Sequence, residues 1–390
     1  MSPNLELRIF LTSSQLSTAF YSAYAQKTKD ENLYYDVLVI DRTPKKVSLV
    51  KNILERAAIF HSWNEVLDLS IALEDSQSTR PSFKKRMTRK FKSLPIIKGF
   101  YDSLLKRYLK KQKAEYKFLF QEKIKVQAEF QKVSLHVLTQ TILNETLFEI
   151  YPKAEVHYFE HGTGDYFYVL KPDLKLNQFH CFFTEAFSNY LKSLSIGIPL
   201  SSYLEKTDFE KIFTLDFQDP LCHDLNLKVS NTKLDVHLIL LDAFEIYHPP
   251  VKFWTDYLDR IVSQTSSLNN ILFVLKPHPN QSKESIAISV NYFKERELQF
   301  LLFEGAELSQ LSVETFFVSH QAKIKSVYST FSSALFYLSH FYSDKTKFYM
   351  LYDFASSYIN SAPKQYKEIF KGLRPLIDEV FDPNRKINRL

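Results

Sequence analysis

Glycine is nearly missing from this sequence, with six in 390 residues, and its scarcity removes every motif that depends on clustered flexible backbone. There is no G-x-G-x-x-G dinucleotide fingerprint, no G-x-x-x-x-G-K-[ST] phosphate loop and no G-x-S-x-G nucleophile elbow. Cysteine is as rare: Cys181 and Cys222 stand alone, outside any C-x-x-C or paired-histidine spacing, which argues against a disulfide scaffold and against a zinc site. A D-x-D pair for a metal-held nucleotide sugar is lacking too, so the reading is of a site without a metal. No apolar run approaches the roughly 18 residues of a membrane span, and the apolar stretch of "MSPNLELRIFLTSSQ" is too short for a signal peptide. A cytoplasmic chain in a reducing compartment is expected.

What is present is aromatic and apolar. Hydrophobic residues make up 45% and the chain holds 34 Phe and 23 Tyr, which excludes disorder and supplies ample core. Cores stop growing at about 250–300 residues, so two domains are expected. The net charge of +6 is unevenly spread. Residues 83–113 carry twelve Lys or Arg against one acid, Asp102. A solvated basic helix pair is the ordinary fate of such a run. Because Phe91, Leu94, Ile96, Ile97, Phe100 and Leu104 interleave the charges, a docking surface for an anionic membrane or a polyanionic substrate is the sharper expectation. No nucleic-acid module accompanies the run, and no nucleic acid is expected as a partner.

The order of elements reads as α/β. "LELRIFL", a helix from Ser14, "YYDVLVI", a helix over 44–56, "VSLHVL", a helix over 140–150 and "AEVHYF" fill the first half. Residues 195–235 lose periodicity and contain Pro199 and Pro220, the signature of a linker. The second half alternates strands at 236–241, 271–276, 299–303, 325–329 and 347–352 with helices near 251–266, 283–297, 306–318 and 332–341. A helical tail follows from about 363. The expectation is GT-B: two Rossmann-like domains facing a central cleft, one over 1–225 and one over 226–390, with the tail able to cross back.

Three short stretches can carry chemistry. "YFEHGTGDY" places two of the six glycines, Gly162 and Gly164, directly after Glu160 and His161 at a strand end, where ligands bind in open α/β sheets. Glycines free to take positive φ would let a ligand approach backbone there, and Glu160 can serve as a general base. A tight turn with a capping Glu and His explains the stretch about as well. In "LKPHPNQ", Pro277 and Pro279 brace His278 in extended backbone, and Lys276 adds a cation before a helix start that suits a phosphate. The third, "VYSTFSSALFYLSH", offers Ser329, Thr330, Ser332 and Ser333 before an apolar helix. Helix capping accounts for one hydroxyl there, and a bound phosphate would use the others.

In this order and on this architecture, "FEHGTGDY", "KPHP" and "STFSS" resemble the acidic, HP and serine motifs of bacterial capsular polysialyltransferases and lipooligosaccharide sialyltransferases. The resemblance implies an inverting, metal-independent transfer of sialic acid from CMP-sialic acid, with no other cofactor, to a sialylated or galactose-terminated glycan, in capsular polysialic acid synthesis or on a lipooligosaccharide. It also implies an acceptor-binding domain over 1–225, a CMP-donor-binding domain over 226–390, and peripheral contact of residues 83–113 with the inner membrane or a capsule-export complex. It implies Glu160 as base toward the acceptor hydroxyl. His278, Ser332 and Ser333, with Thr330, Lys276 and Pro279 near them, fall on the CMP phosphate. His161, Gly162, Thr163 and Gly164 fall on the acceptor side. One departure stands out: the second acidic position of the family motif is His161.

The H-G-T, K-x-H-P and serine-rich stretches also resemble CDP-polyol phosphotransferases of the teichoic-acid type, in which His161 would be the base. The Asp spaced after the serines and the Lys after H-G-T of that family are missing here.

Overall fold

The computed structural model describes residues 5–30, 33–40, 57, 61–69, 110, 113–118, 120, 130–138, 142–171, 174–202, 204–215, 223–242, 244–247, 249–265, 270–278, 281–303, 312–359, 362 and 364–390. It divides into two compact units. The first comprises Met1–His161, Lys171–Cys181 and Ile198–Tyr203; the second comprises Gly162–Leu170, Phe182–Gly197 and Leu204–Leu390.

In the first unit, seven parallel strands lie in the order β3-β2-β1-β4-β5-β6-β7. They are β1 (Glu6–Thr12), β2 (Tyr34–Ile40), β3 (Glu65–Asp68), β4 (Lys132–Val137), β5 (Glu155–Phe159), β6 (Gln178–His180) and β7 (Leu200–Ser201). Helix α1 (Gln15–Lys27) follows β1, and α2 (Ile142–Ile150) follows β4. Ser14 starts α1 by accepting the Ser17 N–H, as the sequence predicted. The buried stretches of β1 and β2 are mostly apolar because parallel sheets are covered on both faces, while β4, KVSLHV, buries Ser134 and His136 as well.

Two polar devices sit inside this apolar sheet. Arg8, buried in mid-strand, reaches the register partner Asp36 with Nε and Nη2, both at 2.6 Å, while Tyr34 lies under its guanidinium. His61 Nε2 adds a contact to Asp36 at 2.8 Å. Burial pushes the Asp36 carboxyl up, but its hydrogen bonds from His61 and Arg8 and their charges together hold it below the ordinary carboxylate range. The second device is a ladder of imidazoles from β4, β5 and β6. His136 stacks on His157 at 4.9 Å, His157 on His180 at 5.4 Å with a 3.1 Å Nδ1–Nε2 contact, and Phe10 and Phe159 close the two ends at 4.2 Å. Burial keeps all three rings neutral and pushes His180 down to about 3.

The second unit has six parallel strands in the order β10-β9-β8-β11-β12-β13, the doubly wound pattern. They are β8 (Asp235–Leu241), β9 (Ile271–Pro277), β10 (Phe300–Leu302), β11 (Ile324–Ser329), β12 (Lys347–Met350) and β13 (Ile387–Arg389). Its helices are α3 (Gly164–Val169), α4 (Thr184–Ser193), α5 (Lys206–Leu215), α6 (His223–Asn231), α7 (Lys252–Thr265), α8 (Lys283–Glu295), α9 (Val313–His320), α10 (Ser333–Tyr342), α11 (Tyr352–Ser356) and α12 (Lys364–Leu376). Aromatic contacts fill its core, among them Phe182 stacked on Tyr337 at 4.5 Å and Tyr166 edge-on to Phe381 at 4.9 Å.

The strands expected in the second half and the helices expected near 251–266, 283–297 and 332–341 are found within a few residues; of the helix expected over 306–318, Val313–His320 is described and 304–311 lie outside the described residues. Three readings change. The stretch 195–235 is not structureless linker: it holds β7, α5 and α6, because Phe209, Ile212, Phe213 and Val229 are buried. The tail is helical only to Phe381, then returns as β13 alongside β12 with Phe348 opposite Ile387. Beyond "HGT" the chain enters α3 at once. The helix expected over 44–56 and nearly all of the basic stretch 83–113 lie outside the described residues. Within that stretch, Lys113 is paired with Glu145 at 2.5 Å and Glu149 at 3.4 Å. Among the described residues, no helix is long and apolar enough to cross a membrane.

The imidazole ladder sets an acid response. A histidine held down to about 3 stays neutral in the fold while the unfolded chain takes up a proton below about 6.5. Its contribution is therefore complete above pH 6.5 and is lost progressively as pH falls toward 3. Thermal unfolding from pH 7.5 to 5 should show a falling midpoint, and His180→Phe, which keeps the ring stack, should reduce that slope; an unchanged slope would refute the assignment.

Candidate functional site

In the second unit the strand ends that converge are those of β8, β9 and β11, and the strand order reverses between β8 and β11. Such a switch point leaves a crevice at the carboxyl ends of the strands. The register Ile239–Tyr328 and Leu241–Pro277 brings Asp242, His278 and the serine stretch to one edge.

His278 leaves β9 with its N–H on Leu241 O at 2.8 Å, and its C=O accepts Gln281 N–H at 2.9 Å, so the backbone that carries the imidazole is fixed. Its side chain is exposed. Lys276 goes the other way. Its ammonium is buried, donates to Pro277 O at 3.0 Å and lies over the Phe303 ring. Burial pushes it down to about 8 against the opposing pull of Glu314, which burial in turn raises. Pro279 lies outside the described residues.

The serine stretch is organised by a residue that the motif reading passed over. One oxygen of Asp242, Oδ2, accepts Ser329 Oγ–H at 2.8 Å, Thr330 N–H at 2.8 Å and the Thr330 hydroxyl. Ser329 Oγ in turn accepts Ser332 N–H at 2.9 Å. Two of the four hydroxyls, and two backbone donors, are thereby committed to shaping the turn. Asp242 was recognisable only as the polar residue ending "VHLILLD", a signal shared with many strand ends.

Ser332 stands at the N-cap of α10 in extended backbone, yet its side chain makes no cap hydrogen bond. Ser282, the N-cap of α8, does cap its helix, accepting Ser285 N–H at 3.1 Å. The Leu335 N–H is given to Ser332 O at 3.0 Å, and the start of α10, uncapped by a side chain, is a helix N-terminus of the kind that suits an anion, with the Ser332 hydroxyl beside it.

The second unit also contains the turn that opens α3. Thr163 N–H donates to Ser333 Oγ at 2.9 Å, and a Cβ on Gly162 would stand 3.1 Å from that oxygen. Neither Gly162 nor Gly164 takes a positive φ. The expected left-handed glycines are absent; Gly162 is instead required by close approach, and around Gly164 the space is open. In the first unit, Glu160 follows β5 with its side chain fully buried and its N–H on His180 O at 2.9 Å, while the His161 side chain is half-exposed.

The chain matches the family model for alpha-2,8-polysialyltransferases over residues 8–351. It belongs to that family. The protein is therefore a glycosyltransferase of the sialyltransferase kind. No curated protein matches it. Among solved structures, it is similar to the UDP-GlcNAc 2-epimerase of Neisseria meningitidis bound to UDP-GlcNAc, with TM-score 0.52 and 14% identity over 99% of this chain and 94% of that one. It is likewise similar to the UDP complex of MnaA from S. aureus, with TM-score 0.51 and 10% identity over 98% and 89%. A sialyltransferase from Photobacterium damsela aligns with TM-score 0.48 and 9% identity over 99% and 81%. At these identities the two epimerases show a shared fold, the GT-B type expected from the sequence.

Removing the Asp242 carboxylate strips three hydrogen bonds from the polysialyltransferase serine turn. Asp242→Ala should cost about 2 kcal/mol or more in denaturant unfolding at unchanged slope. A loss below about 0.5 kcal/mol would show that the turn stands without it.

Proposed function

We propose that this polysialyltransferase moves sialic acid from CMP-sialic acid to the hydroxyl of a sialylated glycan, in capsular polysialic acid synthesis, by a single inverting displacement. The observation that supports it most is the start of α10, a helix N-terminus at the switch point whose Ser332 hydroxyl is not spent on capping. The leaving group is a nucleoside monophosphate that departs as an anion. What its departure needs is donors and positive dipole at the phosphate.

In this reading the α10 N–H groups and Ser332 hold the phosphate, and His278 donates a proton or hydrogen bond to it as the glycosidic bond breaks. Asp242 acts at one remove, through Ser329 and Thr330, by keeping the turn in shape. Glu160, buried at the end of β5, accepts the proton of the attacking acceptor hydroxyl. No metal is required, because the charge that develops is met by the chain's own donors. The basic stretch 83–113 suits an anionic acceptor or a membrane surface.

His161 offers a second base, since it is partly exposed, with Nδ1 turned inward, while Glu160 is fully buried. Separate substitutions decide between them. Glu160→Gln should lower turnover by about 10²–10⁴-fold and His161→Asn by much less; the reverse order would sink the assignment to Glu160. CMP should raise the thermal midpoint more than UDP or ADP does, and a chelator should leave turnover unchanged. No stabilisation by CMP would refute the donor.

A further inference from the structure

Two stretches 170 residues apart meet at one hydroxyl. Ser333 Oγ accepts the Thr163 N–H at 2.9 Å, and the Thr163 hydroxyl lies 3.3 Å from it. Gly162 passes so close that a methyl group there would press on the same oxygen at 3.1 Å. The far side of the turn is closed as well: buried Asp165 accepts Gly162 N–H at 3.1 Å and returns its own N–H to Gly162 O at 3.1 Å. All of these atoms belong to the second unit. Ser333 is also the first residue of α10, directly after the uncapped Ser332.

A serine hydroxyl has one proton and two lone pairs. Here a lone pair is taken by a backbone donor from another element, and the proton has Thr163 Oγ1 within range. Ser332, by contrast, makes no cap hydrogen bond with its side chain. Gly162 is then explained by contact: a Cβ there would stand 3.1 Å from Ser333 Oγ, so the oxygen or the turn would have to give by a few tenths of an ångström.

We infer that Ser333 is a positioning residue, whose hydroxyl fastens the Gly162–Thr163 turn to the start of α10 and so sets the segment following Glu160 in register with the phosphate-binding helix, rather than binding the phosphate itself. The inference rests on the reading of α10 as the donor-phosphate site. It assigns the adjacent serines different tasks, Ser332 to the ligand and Ser333 to the frame. Displacements of about 1 Å in such a frame can cost on the order of 100-fold in rate without loss of binding.

The test combines CMP titration calorimetry with turnover of CMP-sialic acid over a panel of sialylated and galactose-terminated acceptors, on the full chain. Wild type, Ser333→Ala, Gly162→Ala and the double variant are compared. Ser333→Ala should lower kcat by about 10–100-fold while the Kd for CMP stays within about threefold. Gly162→Ala should behave alike. The double variant should be no slower than Ser333→Ala alone, because loss of Oγ vacates the space the new Cβ needs. If Gly162→Ala does not fold, recovery of folding in the double variant is the expected result. Weakened CMP binding at unchanged kcat in Ser333→Ala, additive losses, or a double variant that fails to fold where Ser333→Ala folds would each overturn the inference. Failure of the wild type itself to bind CMP would remove the donor reading and this inference together, an outcome separable from the others because it needs no variant.

Discussion

One carboxylate oxygen at the end of β8 sets the shape of the serine-rich turn between β11 and α10. Asp242 Oδ2 collects Ser329, the Thr330 N–H and the Thr330 hydroxyl, and passes order on to Ser332 through Ser329 Oγ. The contact exists only because β8 lies beside β11 in parallel register. A slip of one residue would turn every side chain to the opposite face and separate them. With the turn fixed, α10 starts where the strand order reverses, and no side chain caps its first turn.

The same logic runs through the apolar interior of both units. Polar groups inside a two-sided parallel sheet must be paired or neutral, since unpaired burial costs several kcal/mol. Arg8 and Asp36 meet the requirement by bidentate pairing, and His136, His157 and His180 meet it by staying uncharged and stacked. Lys276 is the corresponding case in the second unit, buried against Glu314 and Phe303. A basic residue next to a histidine motif looks like a ligand contact in a linear string, yet its long stem can bury its head in the sheet below.

Four hydroxyls in five residues looked like a surplus for capping. The structure distributes them: Ser329 and Thr330 to Asp242, Ser333 to Thr163, and Ser332 to no cap at all. A serine-rich strand exit is thus mostly scaffold, and the part left for chemistry is small because the rest keeps it in place. Gly162 belongs to the scaffold too. Its contribution is the side chain it lacks.

Much of the fold was legible in the chain. Long strands such as "YYDVLVI" and "VHLILL", and the helices between them, announce themselves because a parallel sheet covered on both faces demands continuous apolar runs. The short strands β6, β7 and β13 were not legible, because two or three residues give no period to read and are strands only by virtue of a neighbour. The motifs were legible as types at strand ends, and their order pointed to the family. Which member of each motif holds the frame was not. Sequence fixes side-chain chemistry and local periodicity, but Asp242 and Ser329 stand 87 residues apart, and Thr163 and Ser333 stand 170 apart. Only the register of packed parallel strands and the helices between them bring such pairs within hydrogen-bonding distance.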